Sequence, residues 1–221
     1  KPILINRNTR SGTPIITSSA YDRYVKGNFE ISYVMVASAF KRGAYYCVSY
    51  AREVEYFEQP KIVAPQRSMQ NTFGYNETSW YASADVYFII QKDIKVKLKY
   101  VLALLNSKLY YSWFYHKGKR KGESLELYLI PLSETPIKIA DKATQDIFET
   151  VADYIIECKS QKTKGSSINS LVASFFESLN NLLVYELYFE DEIYKAGLSV
   201  MSSLKNLKPI TELKSSSKKL E

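Results

Sequence analysis

Residues 60–90 read PKIVAPQRSMQNTFGYNETSWYASADVYFII. Two apolar runs of strand length, Lys61-Ile-Val-Ala64 and Val86-Tyr-Phe-Ile-Ile90, bracket a polar connection in which Gly74 and Asn76 signal turns. Inside that connection stand Gln66, Arg67, Gln70 and Asn71, with Phe73, Tyr75, Trp80 and Tyr81 interleaved. Glutamine and asparagine amides match the donor-acceptor pair on an adenine edge, and an arginine fork matches guanine. A surface of this composition suits recognition better than catalysis.

Outward from this stretch the period changes. Leu98, Val101, Leu102, Leu105, Leu109 and Trp113 recur every three or four residues, which predicts one helix of about four turns ending near Tyr115. His116-Lys-Gly-Lys-Arg-Lys-Gly122 follows as a glycine-bounded basic loop, and Ser124–Ile130 returns to strand character before Pro131 and Pro136. Asp141 is the expected N-cap of a helix carrying Ile147, Val151, Tyr154, Ile155 and Cys158 on one face. After Gln161-Lys-Thr-Lys-Gly-Ser-Ser167, a second helix presents Ile168, Leu171, Val172, Phe175, Leu179, Leu182 and Leu183. A connection that short predicts an antiparallel hairpin. Upstream, residues 14–17 and 44–50 have strand character, and Ile31, Val34, Met35 and Ala39 fall at helical spacing. The expected class is α+β: a mixed, β-rich domain with a packed helix over residues 1–137, a helical hairpin over 138–200, and a loosely ordered Ser- and Lys-rich tail over 201–221.

Charge divides the chain. The net charge is +7, yet residues 1–121 hold 19 basic and 8 acidic groups, whereas residues 122–221 hold 11 and 15. Six of the seven arginines lie in the first hundred residues. The basic half is therefore the half expected to face a polyanion. Lys117, Lys119, Arg120 and Lys121 are the best candidates for a phosphate clamp, with Arg42, beside Lys41 and Gly43, a weaker candidate. Residues 141–192 hold 10 acidic and 4 basic groups, so the hairpin is expected to turn away from nucleic acid. Nineteen tyrosines against ten phenylalanines add flat rings with polar tips, a bias towards contact surfaces.

Several chemistries find no support. Cys47, Cys158 and His116 are the whole complement of thiols and imidazoles, too few for a zinc site or a disulfide framework, which points to a reduced, cytoplasmic protein. No apolar run reaches membrane-spanning length. The eight glycines are never within two residues of one another, and no two prolines are adjacent, so neither a glycine-rich donor loop nor an Asn-Pro-Pro-aromatic methyltransferase motif is present. Asp85, Asp93 and Lys95 match an acidic-plus-D-x-K nuclease arrangement, but such common residues at so loose a spacing meet by chance in many chains. Lys1 stands first in place of a methionine, which suggests a piece of a longer protein.

An ordered set of segments carries a resemblance: Glu58-Gln-Pro-Lys-Ile62, Trp80-Tyr-Ala-Ser-Ala-Asp-Val-Tyr-Phe-Ile89, Tyr100-Val-Leu-Ala-Leu-Leu-Asn-Ser-Lys-Leu109, Thr135-Pro-Ile137, and Leu183-Val-Tyr-Glu-Leu-Tyr188. Together they resemble the TaqI-like C-terminal specificity domain of type II and IIG restriction-modification enzymes and their adenine-specific DNA methyltransferases. The resemblance implies sequence-specific recognition of double-stranded DNA by a non-catalytic region. S-adenosylmethionine would then belong to a methyltransferase domain upstream in the same chain, with an endonuclease as an optional fusion. The alternative is an assembly module whose hairpin docks a partner methyltransferase or nuclease subunit.

Overall fold

The computed structural model describes residues 55–78, 86–92, 94–161 and 167–212. The segments expected at 14–17, 31–39 and 44–50 lie outside the described residues, as do Arg42, Cys47, Trp80, Tyr81, Asp85 and Asp93. The chain forms two compact units, one of residues 1–63 and 76–90, the other of residues 64–75 and 91–221.

In chain order the described elements are α1 (Glu55–Glu58), β1 (Lys61–Pro65), β2 (Arg67–Ser68), β3 (Gly74–Asn76), β4 (Val86–Ile90), α2 (Leu98–Leu105), α3 (Lys108–Lys117), β5 (Lys119–Lys121), β6 (Ser124–Glu126), α4 (Leu129–Ser133), α5 (Lys142–Gln161), α6 (Ser167–Tyr188) and α7 (Glu190–Lys195), before a 3-10 turn at Met201–Leu204. The class is α+β, with sheets ordered β3-β1-β4 and β2-β6-β5. Both strands expected around the opening stretch form, as β1 and β4. The described part of the polar connection, residues 66–78, contributes two further strands, β2 and β3.

In the first unit Lys61 is fully buried, and its ammonium donates to the carbonyls of Phe57, Gln59 and Thr78 at 2.8, 3.0 and 2.9 Å. Burial lowers its pKa to about 8. Three acceptors take all three ammonium protons, so the buried charge is satisfied as a structural pin. Phe88 lies beneath the ammonium, 5.8 Å from ring centroid to nitrogen, and meets the edge of Phe57.

In the second unit the single helix expected from residue 98 to 115 is two helices. Asn106 breaks it: its side chain accepts from the Phe73 backbone N–H at 2.8 Å and donates to the Phe73 carbonyl at 3.0 Å, a paired clasp that a continuing helix would not present. Ser107, fully buried, then caps α3 by accepting from Tyr110 N–H. The run from Ser124 also departs from expectation. It stays extended only to Glu126, and Leu129–Ser133 is helical, with Pro131 in the first turn where its missing N–H is no loss.

Asp141 caps α5 as expected, accepting from Thr144 N–H at 2.7 Å. Residues 162–166 between α5 and α6 span at most about 18 Å, whereas a parallel return over the 20 residues of α5 would need about 30 Å, so the hairpin is antiparallel. Phe148 and Val151 of α5, Leu183 and Val184 of α6, and Leu104 and Leu105 of α2 are fully buried or nearly so. Tyr100 meets Phe148 edge-on at 5.3 Å, and the buried Asn180 donates to the Ala103 carbonyl at 2.8 Å. The α5 carboxylates do not all face solvent: Asp146 and Glu149 pair with Lys97, and Asp153 with Lys99 at 2.7 Å. Of the face expected of α6, Leu183 is buried as expected, but Leu171, Val172, Phe175 and Leu182 are exposed, while Ala173, Asn180 and Leu187 point inward. Beyond α7, the Glu186 carboxylate holds Ser199 Oγ and the backbone N–H groups of Val200 and Met201, the latter two at 2.8 and 2.9 Å.

Candidate nucleic-acid interface

The sheet β2-β6-β5 brings together two sequence clusters, residues 66–71 and 117–121, that are far apart in the chain. β6 is its centre, with Arg67 opposite Glu126 on one side and Lys119 opposite Glu126 on the other. Two glycines make this possible. At Gly118, where α3 turns into β5, a Cβ would lie 2.5 Å from the Phe114 carbonyl oxygen. Gly122 has φ +61° while no non-glycine residue among those described is left-handed, which is the pattern of a tight hairpin with glycine at its first loop position.

Because side chains alternate along a strand, the register sorts the cations. Arg67, Lys119, Lys121, Ser124 and Glu126 share one face, and Met69 joins them, its sulfur 3.4 Å from Ser124 Oγ. Leu125 marks the opposite face, turned into the core. Arg120 lies on that second side, its guanidinium 4.0 Å over the Tyr115 ring. The basic loop read from the sequence is thus a strand that divides its charges between two sides.

Arg67 is held rather than loose. Its Nε donates to Glu126 Oε1 at 3.1 Å and its Nη2 to the Tyr128 hydroxyl at 2.8 Å, and Tyr128 donates in turn to Glu126 Oε1 at 3.2 Å. Lys119 Nζ stands 3.4 Å from Glu126 Oε2. Burial disfavours the charged form of Glu126, but the hydrogen bond and charge of Lys119, joined by hydrogen bonds from Arg67 and Tyr128, outweigh it and hold the carboxyl below its ordinary range. The Glu126 side chain is 5% exposed and that of Arg67 46%, so a nearly buried carboxylate aims a half-exposed guanidinium outward. An arginine has five N–H groups; two are engaged here and three remain for a ligand. The Tyr128 ring lies 6.0 Å from the Arg67 guanidinium and 5.4 Å from the Lys119 ammonium.

The other expected site residues take varied positions. Gln70 is exposed, with no described partner for its side-chain amide. Gln66 is half-buried, and its backbone carbonyl accepts from Leu127 N–H at 2.9 Å, which extends the pairing of β2 and β6. Asn71 is turned inward: its amide nitrogen donates to the carbonyls of Leu105 and Ser107 at 2.6 and 2.8 Å, across the break between α2 and α3. Lys117 is exposed at the end of α3. Sequence reasoning passed over Glu126 and Tyr128. The alternation Ser124-Leu-Glu-Leu-Tyr128 was the available signal, since it sets Glu126 and Tyr128 on the face opposite two core leucines. Among the described residues no group of histidine, cysteine or carboxylates is arranged to hold a metal ion, and no helix is long and apolar enough to cross a membrane.

The profile of the TaqI-like C-terminal specificity domain matches residues 14–137, more than half of the chain and inclusive of both clusters, and the chain belongs to that family. Over 164 residues it is 25% identical to the type II methyltransferase M.HincII of Haemophilus influenzae. That alignment takes in 71% of this chain but 30% of the relative, so the chain spans less than a third of the curated protein it matches.

Proposed function

We propose that this chain is the DNA target-recognition region of a restriction-modification adenine methyltransferase, and that it reads duplex DNA with the outer face of the sheet β2-β6-β5. The observation that carries the reading is the cross-strand row Arg67–Glu126–Lys119, in which a buried carboxylate orients a guanidinium with three donors to spare. Membership of a specificity-domain family and a relative named as a type II methyltransferase support the coarser part of this reading, target recognition within a methyltransferase.

A methyltransferase that modifies a base must extrude it from the stack, and the few kcal/mol this costs must be offset by binding elsewhere. Lys117, Lys119 and Lys121 supply sequence-independent contacts to phosphates. Arg67 supplies a two-pronged contact to guanine, worth about 1–3 kcal/mol of discrimination. Gln66 and Gln70 are the candidates for adenine. Asn71 positions the segment from behind, because its amide nitrogen is committed to two carbonyls. Arg120 supports the strand through Tyr115 and reaches a phosphate only at its exposed edge.

In this reading S-adenosylmethionine belongs to a methyltransferase domain upstream in the parent protein. The described residues do not fit that donor: the strand-to-helix passages from Ile90 to Leu98 and from Glu126 to Leu129 contain no glycine, where a donor loop needs close backbone approach. No chemical step is assigned to this chain. Selection from a randomised duplex pool tests the proposal. The chain is expected to enrich one sequence, and Arg67→Ala to lose preference at one guanine of it. Recovery of an unchanged random pool would leave the assembly alternative standing.

A further inference from the structure

The described part of α6 carries two faces, and only one is used. Ala173, Asn180 and Leu187, seven residues apart, are buried against the rest of the unit. Diametrically opposite run Leu171, Phe175, Ser178, Leu182, Tyr185 and Phe189, spaced 4-3-4-3-4, which is the period of a helix-pairing seam. Leu171 is 73% exposed, Phe175 63%, Leu182 51% and Phe189, just past the helix end, 44%. Scattered apolar residues are ordinary, but a continuous row at heptad spacing has the geometry to receive another helix.

The row also says which helix. None of its side chains carries a carboxylate, an ammonium or a guanidinium, and neither do the adjoining Val172, Ser174, Leu179 and Asn181, so none of these residues repels its counterpart on an identical surface. The carboxylate of Glu186 beside it is already spent on Ser199, Val200 and Met201. Ser174 and Ser178 donate their hydroxyls to the carbonyls of Ser170 and Ser174 at 3.0 and 2.9 Å, so covering them strands no donor. The two ends differ in sign. Exposed Glu190, Asp191 and Glu192 follow the row, whereas the positive end of the helix, with no acidic residue in its first turn, precedes it.

We propose that this chain self-associates through α6, two copies packing antiparallel about a two-fold axis level with Asn180, so that Leu171 meets the partner's Phe189, Phe175 the partner's Tyr185, and Ser178 the partner's Leu182. Antiparallel packing sets each acidic end against the positive end of the partner helix; parallel packing would stack acid on acid. The seam is shorter than a standard interface of about 20–30 residues a side, so association is weak and needs concentrated protein. It is independent of the DNA-binding reading.

Sedimentation equilibrium of the 221-residue chain tests it. Between roughly 5 and 200 μM the weight-average mass is expected to climb from 25.4 kDa towards twice that value. Leu182→Glu, at an exposed position and with an unchanged circular dichroism spectrum, is expected to hold the mass at the monomer value. Adding Ser178→Lys to Leu182→Glu is expected to restore the dimer, since each lysine then faces the partner's glutamate, which parallel packing does not allow. A monomer throughout, as expected if another protein occupies the face, would overturn the proposal, as would a dimer indifferent to Leu182→Glu. Failure of the Ser178→Lys rescue would overturn the antiparallel register.

Discussion

Asn71→Ala separates a residue that reads DNA from one that holds the reader in place. The Asn71 amide nitrogen donates to the carbonyls of Leu105 and Ser107, two residues that are themselves almost wholly buried. Ser107 O keeps a second donor, Tyr111 N–H at 3.0 Å, so the heavier loss falls on Leu105. Two hydrogen bonds at about 1 kcal/mol each give a destabilisation of about 2 kcal/mol. For a chain of this size that is a fall in Tm of about 4–8 °C. Gln70→Ala is the matched comparison: its exposed side chain has no described partner, and its effect should stay within about 0.5 kcal/mol. Thermal unfolding followed by circular dichroism gives the stabilities. Duplex binding measured well below both transitions gives the function, and there Asn71→Ala should bind as the parent chain does. If Asn71→Ala left Tm unchanged but abolished discrimination between duplexes, the assignment of Asn71 to the frame would be refuted and it would become a base reader.

Other substitutions probe the remaining parts. Arg67→Lys keeps the charge and loses the fork, so discrimination at one guanine should fall by about 1–3 kcal/mol while non-specific binding persists; equal discrimination in a competition assay would remove Arg67 from the readers. Ser107→Ala deletes the cap of α3 and should lower stability by about 1 kcal/mol, read as the urea midpoint. The Asp146 carboxyl is held below its ordinary range by hydrogen bonds from Lys142 and Lys97. Its contribution to stability is therefore complete above the unfolded value of 3.8 and is lost as the pH falls through the lowered folded value. Lys97→Ala should accordingly move the acid-unfolding midpoint to higher pH, and an unmoved midpoint would show the pairing to be inert.

What was legible in the sequence was what depends on near neighbours. β1 and β4 announce themselves by β-branched and aromatic runs, Asp141 by its place before a periodic segment, and the antiparallel hairpin by the brevity of its turn. What escaped depends on partners far along the chain. Arg67–Ser68 is a strand only because Glu126 and Leu125 lie beside it, and the break at Asn106 exists only because the backbone of Phe73 is there to clasp. Apolar spacing runs through that break without interruption, so periodicity read one helix. In α6 the spacing was seen and its direction only in part: Leu183 of the expected face is buried, but Leu171, Val172, Phe175 and Leu182 face out, and the inward face adds Ala173, Asn180, Val184 and Leu187, of which Ala173 and Asn180 are too small or too polar to weigh in such a reading. The site was legible as residue types in two clusters, but the carboxylate and tyrosine that join them became visible only through strand register.

The central claim is that the outer face of β2-β6-β5 grips duplex DNA, and the slope of log affinity against log salt tests it most directly. The parent chain is expected to give a steep negative slope, and Lys119→Ala with Lys121→Ala to flatten it by about two units, one for each phosphate contact removed. Lys142→Ala, a substitution on α5 at the surface of the hairpin, is expected to leave the slope unchanged. A parent slope near zero, or a slope indifferent to loss of both β5 lysines, would contradict the account.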